Sequence, residues 1–294
     1  MAQENKKRIM VIGARGLLGE ALCRELSGTG ELIAPRMDEL DITDRDQTKA
    51  FCRAKKPEII ILSAAYTDVD GCEKNPDQAY RVNVEGTRHV VEIAREINAV
   101  LIFISTDYVF NGETHRPYTE EDQPDPLSVY GRSKLQAESI IQSNLKEFVI
   151  ARSCWLFGEA QKGFVHFIVK SLNTKKSLDI VADKIGSPTY AVDLAKALHQ
   201  LTDLMVQNKF DFYKNNIIHI VNSGACSWYD MAKFIIEKRN VMINLKETKL
   251  EDFPFQAIRP KYSALDNSRY AQITGRKMRS WQDALGEFIQ CQKN

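Results

Sequence analysis

An apolar strand, a glycine-rich turn and a helix follow one another at the start of the chain, and that order limits the fold. Arg8-Ile9-Met10-Val11-Ile12 is a short apolar run suited to a parallel strand buried on both faces. Gly13-Ala14-Arg15-Gly16-Leu17-Leu18-Gly19 follows at once, and residues 20–26 read as helix. Glycines so spaced permit a tight turn, close approach of backbone to a pyrophosphate, and close helix–strand packing. The helix N-terminus offers free N–H groups to an anion. A dinucleotide site is therefore expected here, with Gly-x-x-Gly-x-x-Gly spacing.

The same alternation continues. Glu31-Leu32-Ile33-Ala34 reads as a second strand, and Thr43 or Asp44 caps a helix running to about Lys55. Glu58-Ile59-Ile60-Ile61-Leu62 is a third strand, ending in Ser63-Ala64-Ala65-Tyr66-Thr67, where small residues let a cofactor lie against the backbone. A helical region over residues 77–98 carries Asn83, Gly86 and Thr87. It leads to a central strand at residues 101–104, and the alternation persists to Ile150. The expected class is α/β, a Rossmann-type doubly wound parallel sheet with ligands at the carboxyl ends of its strands. We expect residues 1–155 to form the dinucleotide-binding domain, with segments near 190–222 returning to it. Residues 156–294 are expected to form mainly a smaller, discontinuous substrate-binding lobe.

After the second strand, an Asp or Glu would suit the ribose of NAD, whereas Arg accommodates the extra phosphate of NADP. Arg36 stands there, Asp38 and Glu39 come slightly later, and Arg15 lies inside the glycine loop. Two guanidiniums favour NADPH, because their planar forks match phosphate; NADH remains the alternative, and both arginines read equally as solvated surface residues. Asp41 could accept a bond from the adenine amino group or simply end a turn.

The chemistry centres on residues 101–134. The strand ends in Ser105-Thr106-Asp107-Tyr108-Val109-Phe110, a proline-bearing loop follows, and Tyr130-Gly131-Arg132-Ser133-Lys134 opens a helix. Residues at i and i+4 share a helix face. Lys134 can thus hold positive charge beside Tyr130, favouring the phenolate and moving the phenol toward proton exchange near neutral pH. This spacing alone is weak, since Tyr229 and Lys233 repeat it before the apolar face of Ala232, Phe234 and Ile235. Tyr229 is expected to be a packing or pocket residue.

Composition excludes other classes. Forty basic residues against thirty-nine acidic ones leave a net charge of +1, which supports neither nucleic-acid nor membrane-surface binding. The apolar runs are too short for a membrane span. Six cysteines (23, 52, 72, 154, 226 and 291) show no metal-ligand spacing and suggest reduced thiols in a cytoplasmic protein. No acidic cluster argues for a metal.

Taken together, these motifs resemble the extended short-chain dehydrogenase/reductase family. They are most similar to the branch that reduces deoxythymidine-diphosphate 4-keto sugars in the last step of dTDP-L-rhamnose synthesis. The matching pieces span nearly the whole chain. They are Gly13 to Gly19, Leu40-Asp41-Ile42-Thr43, Ala64-Ala65-Tyr66-Thr67 with Val69-Asp70, the Ser105 to Phe110 run, Pro126-Leu127, and Tyr130 to Lys134 with Glu138. Arg152 with Trp155, Gly186-Ser187-Pro188-Thr189, Asp193-Leu194-Ala195, Ser227-Trp228-Tyr229, and Arg259-Pro260 with Ser263 and Leu265 complete the set.

The resemblance implies Tyr130 as general acid, Lys134 as the group that lowers its pKa and bonds the nicotinamide ribose, and Thr106 as the holder of the substrate carbonyl. It implies a cofactor site of Gly13, Arg15, Gly16, Leu17, Leu18, Gly19, Arg36, Asp41, Ile42, Ala64, Ala65, Tyr66, Asn83, Tyr130 and Lys134. The implied substrate site is Thr106, Asp107, Val109, Tyr130, Trp155 and Arg259. Trp155 reads alternatively as an anchor between lobes, and Arg259 as a surface ion pair rather than a diphosphate partner. A nucleotide-sugar substrate and a homodimer are family-level expectations. Two departures bear on the sugar. Lys184 stands where relatives usually have glutamine, and Lys162-Gly163-Phe164 replaces Asn-Asn-Phe. Two other readings stay open: a ketoreductase or epimerase on another nucleotide sugar, and a dinucleotide-binding regulatory subunit resembling the beta subunit of methionine adenosyltransferase.

Overall fold

The computed structural model describes residues 7–159, 163–212 and 216–292; Lys162 and the polar start of the chain lie outside the described residues. The first half alternates strand and helix. It runs β1 (Arg8–Ile12), α1 (Leu17–Glu25), β2 (Glu31–Ile33), α2 (Arg45–Lys55) and β3 (Ile59–Leu62), then α3 (Val69–Lys74), α4 (Pro76–Tyr80) and α5 (Thr87–Ile97). β4 (Val100–Thr106), α6 (Val129–Asn144) and β5 (Phe148–Ser153) follow. α2 begins where expected, with the Asp44 side chain accepting from Gln47 N at 3.0 Å. The long helical region is interrupted: residues Arg81–Gly86 form a π-helical turn between α4 and α5.

The second half contains β6 (Leu156–Phe157), α7 (Phe164–Leu172), β7 (Ser177–Val181), β8 (Ile185–Gly186), β9 (Thr189–Tyr190), α8 (Ala191–Val206) and β10 (Ile217–His219). After them come β11 (Cys226–Ser227), α9 (Trp228–Arg239), β12 (Asn244–Thr248), α10 (Ser268–Thr274) and α11 (Trp281–Cys291).

Six parallel strands form the central sheet, in the order β10-β5-β4-β3-β1-β2. β3 and β5 are buried throughout, as expected for strands covered on both faces. One face packs under α1 and α8, through Leu18, Leu22, Leu194 and Leu198 against Val11, Ile61 and Ile102. The other packs under α2, α5 and α6, through Cys52, Val90, Ala94 and Ile141 against Ile60, Leu101 and Ile150. A separate core joins Ile168, Leu178, Ile180, Ile235, Leu285 and Phe288 of α7, β7, α9 and α11.

The chain moves from β1 to β2 on one side and to β3 on the other. A crevice therefore opens at their carboxyl ends, the position at which such sheets bind ligands. Among the described residues no helix is long and apolar enough to cross a membrane.

Candidate active site

The glycine turn sits at the β1 end of that crevice. Gly13 adopts φ +90°, and a Cβ there would lie 2.6 Å from the Ala64 nitrogen. A Cβ on Gly19 would stand 2.0 Å from the Gly13 carbonyl oxygen. Both positions exclude a side chain, and the Ala64–Tyr66 segment is thereby held against the turn. Gly16 caps α1 with no side-chain hydrogen bond, so the first amides of the helix face outward for an anion. These features fit a dinucleotide pyrophosphate. Leu18 is buried in the core, while Leu17 packs toward Gly158, where a Cβ would meet its Cδ1 at 2.8 Å.

Other expected cofactor residues have structural duties. Arg36 chelates Asp38 at 2.8 and 3.1 Å and lies 3.7 Å from Glu39; Arg15 is exposed. Asp41 accepts from Thr43 N at 2.9 Å, closing a turn. Ile42 is buried against Gly86. Asn83, 1 % exposed, clasps Tyr66 through both backbone groups and donates to Ser133 at 3.0 Å. Its amide thus ties the Ala64–Tyr66 segment to α6 between Tyr130 and Lys134.

α6 starts beside the end of β4. Ser128 caps it by accepting from Gly131 N at 3.1 Å. A Cβ at Gly131 would come 2.2 Å from the Tyr108 carbonyl oxygen, so only glycine lets the helix start this close. Tyr130, half-buried, meets the Tyr108 ring edge-on at 5.8 Å. Thr106, the last residue of β4, is the neighbour that acts to lower the pKa of the Tyr130 phenol. One turn further, Lys134 is buried, donates to the Ile104 carbonyl at 2.8 Å and lies 3.8 Å from the Phe103 ring centre. Thr106, Tyr130 and Lys134 therefore converge at one sheet edge.

Their electrostatics differ from the expectation. Burial pushes the Tyr130 phenol upward; Thr106 opposes this, and the Asp107 charge adds to it. Burial lowers the Lys134 ammonium to about 7, against the Glu138 carboxylate, which raises it. Glu138 is itself held by Arg152 at 2.7 and 3.0 Å and by the Ser105 hydroxyl. Burial is the largest influence on the phenol.

Among the expected substrate residues, Val109 is fully buried and packs with Phe110, Tyr118 and Leu265. It lies in the 3-10 turn Asp107–Val109 that follows β4. Asp107 is 2 % exposed and lies behind Thr106, whose hydroxyl donates to it at 3.1 Å. Arg259 forms a two-pronged ion pair with Asp70 at 2.7 and 3.0 Å, and its guanidinium stacks 3.7 Å from Phe255. The pair joins the loop after β12 to α3.

Trp155 has a left-handed backbone, φ 44°, a conformation that costs roughly 1–3 kcal/mol for a bulky residue. Its indole lies where a Gly186 Cβ would be, 2.5 Å away, and tilts against Trp228 at 5.7 Å. With Phe157, Phe164, Trp228 and Met231 it lines a cavity of about 130 Å³, which Thr106, Tyr130 and Lys134 do not reach. Sequence reasoning missed Tyr108 and Trp228 as neighbours of the site. The Trp228 next to Tyr229 carried a signal only in hindsight of the fold.

Fold and site together define a short-chain dehydrogenase/reductase. The chain belongs to the RmlD substrate binding domain family, which matches residues 7–293. It is 37 % identical over 284 residues to the spore coat polysaccharide biosynthesis protein SpsK of Bacillus subtilis, covering 96 % of this chain and 97 % of that one. It is 35 % identical to the dTDP-4-dehydrorhamnose reductase of Aggregatibacter actinomycetemcomitans, covering 95 % and 97 %. The crystal structure of Bacillus anthracis dTDP-4-dehydrorhamnose reductase in complex with NADP superposes with a TM-score of 0.89 at 34 % identity, covering 97 % of this chain and 99 % of that one.

Proposed function

We infer that this protein reduces the C4 ketone of dTDP-4-dehydro-L-rhamnose to give dTDP-L-rhamnose, with NADPH as reductant. The observation that carries this reading is the meeting of Thr106, Tyr130 and Lys134 at the sheet edge that also holds the glycine turn, in a chain whose reductase relatives align over nearly its whole length. NADPH, when bound, supplies a hydride to the carbonyl carbon.

The chain's own residues do the rest. The Gly13–Gly19 turn and the first amides of α1 hold the pyrophosphate. Tyr130 gives its proton to the oxygen as negative charge develops there, a contribution typically of roughly 10²- to 10⁴-fold. Burial keeps the phenol protonated at neutral pH, which is the form that reduction requires. Lys134, with a head group near 7, supplies hydrogen bonds beside it. Trp155, braced on Gly186 and Trp228, forms a flat wall suited to a sugar ring. A cytoplasmic site of action accords with six unpaired cysteines.

The test follows NADPH absorbance with dTDP-4-dehydro-L-rhamnose and identifies the product by NMR. Stoichiometric oxidation with formation of dTDP-L-rhamnose is expected; folded, NADPH-binding protein that leaves this substrate untouched would refute the assignment.

A further inference from the structure

The loop that follows β12 reaches across to α3 and is clamped there by one carboxylate. Asp70 Oδ1 accepts from Gln256 N at 3.0 Å, from Ala257 N at 2.9 Å and from Arg259 Nη1 at 3.0 Å. Asp70 Oδ2 accepts from Arg259 Nη2 at 2.7 Å. Two-pronged, charge-assisted bonds of this kind fix orientation as well as position. The bond from Arg259 holds the Asp70 carboxyl below its ordinary range, so the clamp is charged at neutral pH.

On either side of Arg259 the loop runs to the two tryptophans that line the aromatic cavity. Before it, the Phe255 ring lies 3.7 Å from the Arg259 guanidinium and meets Trp228 edge-on at 6.2 Å. After it, the Lys261 carbonyl accepts from Ile185 N at 2.7 Å, and Ser263 N donates to the Ile185 carbonyl at 2.8 Å. These bonds seat β8, whose Gly186 is the ledge beneath the Trp155 indole. The same short helix reaches the acid. Glu73 accepts from Val129 N at 2.7 Å, one residue before Tyr130. α3 is also set against the cofactor segment, since a Cβ on Gly71 would stand 2.4 Å from the Tyr66 hydroxyl.

We propose that Asp70 is a positioning residue: through Gln256, Ala257 and Arg259 it fixes the Trp155–Trp228 wall relative to Tyr130, so that the sugar nucleotide is held in place for protonation by the acid. α3 carries both contacts, Asp70 to the wall and Glu73 to the start of α6, so the substrate lobe and the acid share one reference point. The sign of the effect is specific. If Asp70 merely competed with a diphosphate for Arg259, removing its charge would tighten substrate binding; as the clamp of the wall, its removal weakens it.

This inference rests on the ketoreductase reading, so one arm of its test needs no substrate. Hydrogen exchange at the Ile185 and Ser263 amides should be about tenfold or more faster in Asp70→Asn than in wild type. Unchanged exchange there in the folded variant overturns the proposal. The second arm is steady-state kinetics with NADPH and dTDP-4-dehydro-L-rhamnose. Asp70→Asn should lower kcat/KM on the order of 10²-fold, with KM for the sugar nucleotide raised and the NADPH dissociation constant within about twofold of wild type. An unchanged or lowered KM overturns the proposal, and so does an equal loss of affinity for both ligands. Phe255→Leu leaves the ion pair in place and serves if Asp70→Asn does not fold. It should raise the same KM several-fold, and an unchanged KM there overturns the proposal. Absence of any turnover in wild type refutes the reaction instead, leaving the exchange result to judge the clamp.

Discussion

Two tyrosines in this chain are followed four residues later by lysine, and the structure treats them in opposite ways. Tyr130 and Lys134 open α6 against the end of β4, where the lysine is 2 % exposed and bonded to a strand carbonyl. Tyr229 and Lys233 lie in the first turns of α9, where Tyr229 packs on the smaller core and Lys233 is exposed. The residue after each tyrosine accounts for the difference. Gly131 lets α6 touch the Tyr108 carbonyl. Asp230 instead completes a capping box with Ser227, donor and acceptor at 2.9 and 3.0 Å, which needs a side chain and keeps that turn open. The spacing of tyrosine and lysine is shared; the buried approach is not.

The comparison can be broken at several points. Glu138→Gln carries the largest expected effect, because it removes one partner of the buried pair with Arg152, 1 % and 3 % exposed. Chemical denaturation should show a loss of about 3–5 kcal/mol, whereas Glu237→Gln in α9 should be close to neutral. Gly131→Ala comes next. The new methyl meets backbone at 2.2 Å, so a loss of about 1–3 kcal/mol is expected, together with reduced turnover as Tyr130 shifts. Asp230→Ala should lose about 1 kcal/mol through its cap and leave turnover unaltered.

Lys134→Met gives a pH signature. Burial holds the folded-state ammonium near 7, below its ordinary 10.5. The folded state therefore binds fewer protons than the unfolded state between those values, and stability gained from this group rises with pH across that window. Below pH 7 both states are protonated and the full burial penalty remains. The Met variant should thus gain most in Tm over wild type below pH 7, and the gain should shrink toward pH 10. Lys233→Met should show no such trend and change stability by less than about 0.5 kcal/mol, the smallest effect of the set.

Much of this was legible from local pattern. Apolar runs and glycines mark β1, the turn and α1 because those constraints act within a few residues, and the same holds for the Asp44 cap. Tyr130 and Lys134 were found by their i, i+4 spacing together with the strand before them. What escaped was decided by tertiary packing. Val109 follows the strand-end motif, but a 3-10 turn carries it into the core. Asn83 was named for the cofactor site, but the π-helical turn from which its amide reaches Tyr66 and Ser133 is announced by no periodicity. Arg259 finds Asp70, distant in sequence. Lys184 was visible as a departure, but the three rings around it come from separate segments that only the fold assembles.

The most direct measurement compares Tyr130→Phe with Tyr229→Phe for NADPH oxidation in the presence of dTDP-4-dehydro-L-rhamnose, both variants first verified as folded and NADPH-binding. A loss of about two orders of magnitude or more in kcat for Tyr130→Phe, with Tyr229→Phe near wild type, is the expected result. Comparable turnover in Tyr130→Phe and wild type, or an equal loss in both variants, would contradict the assignment of Tyr130 as the acid.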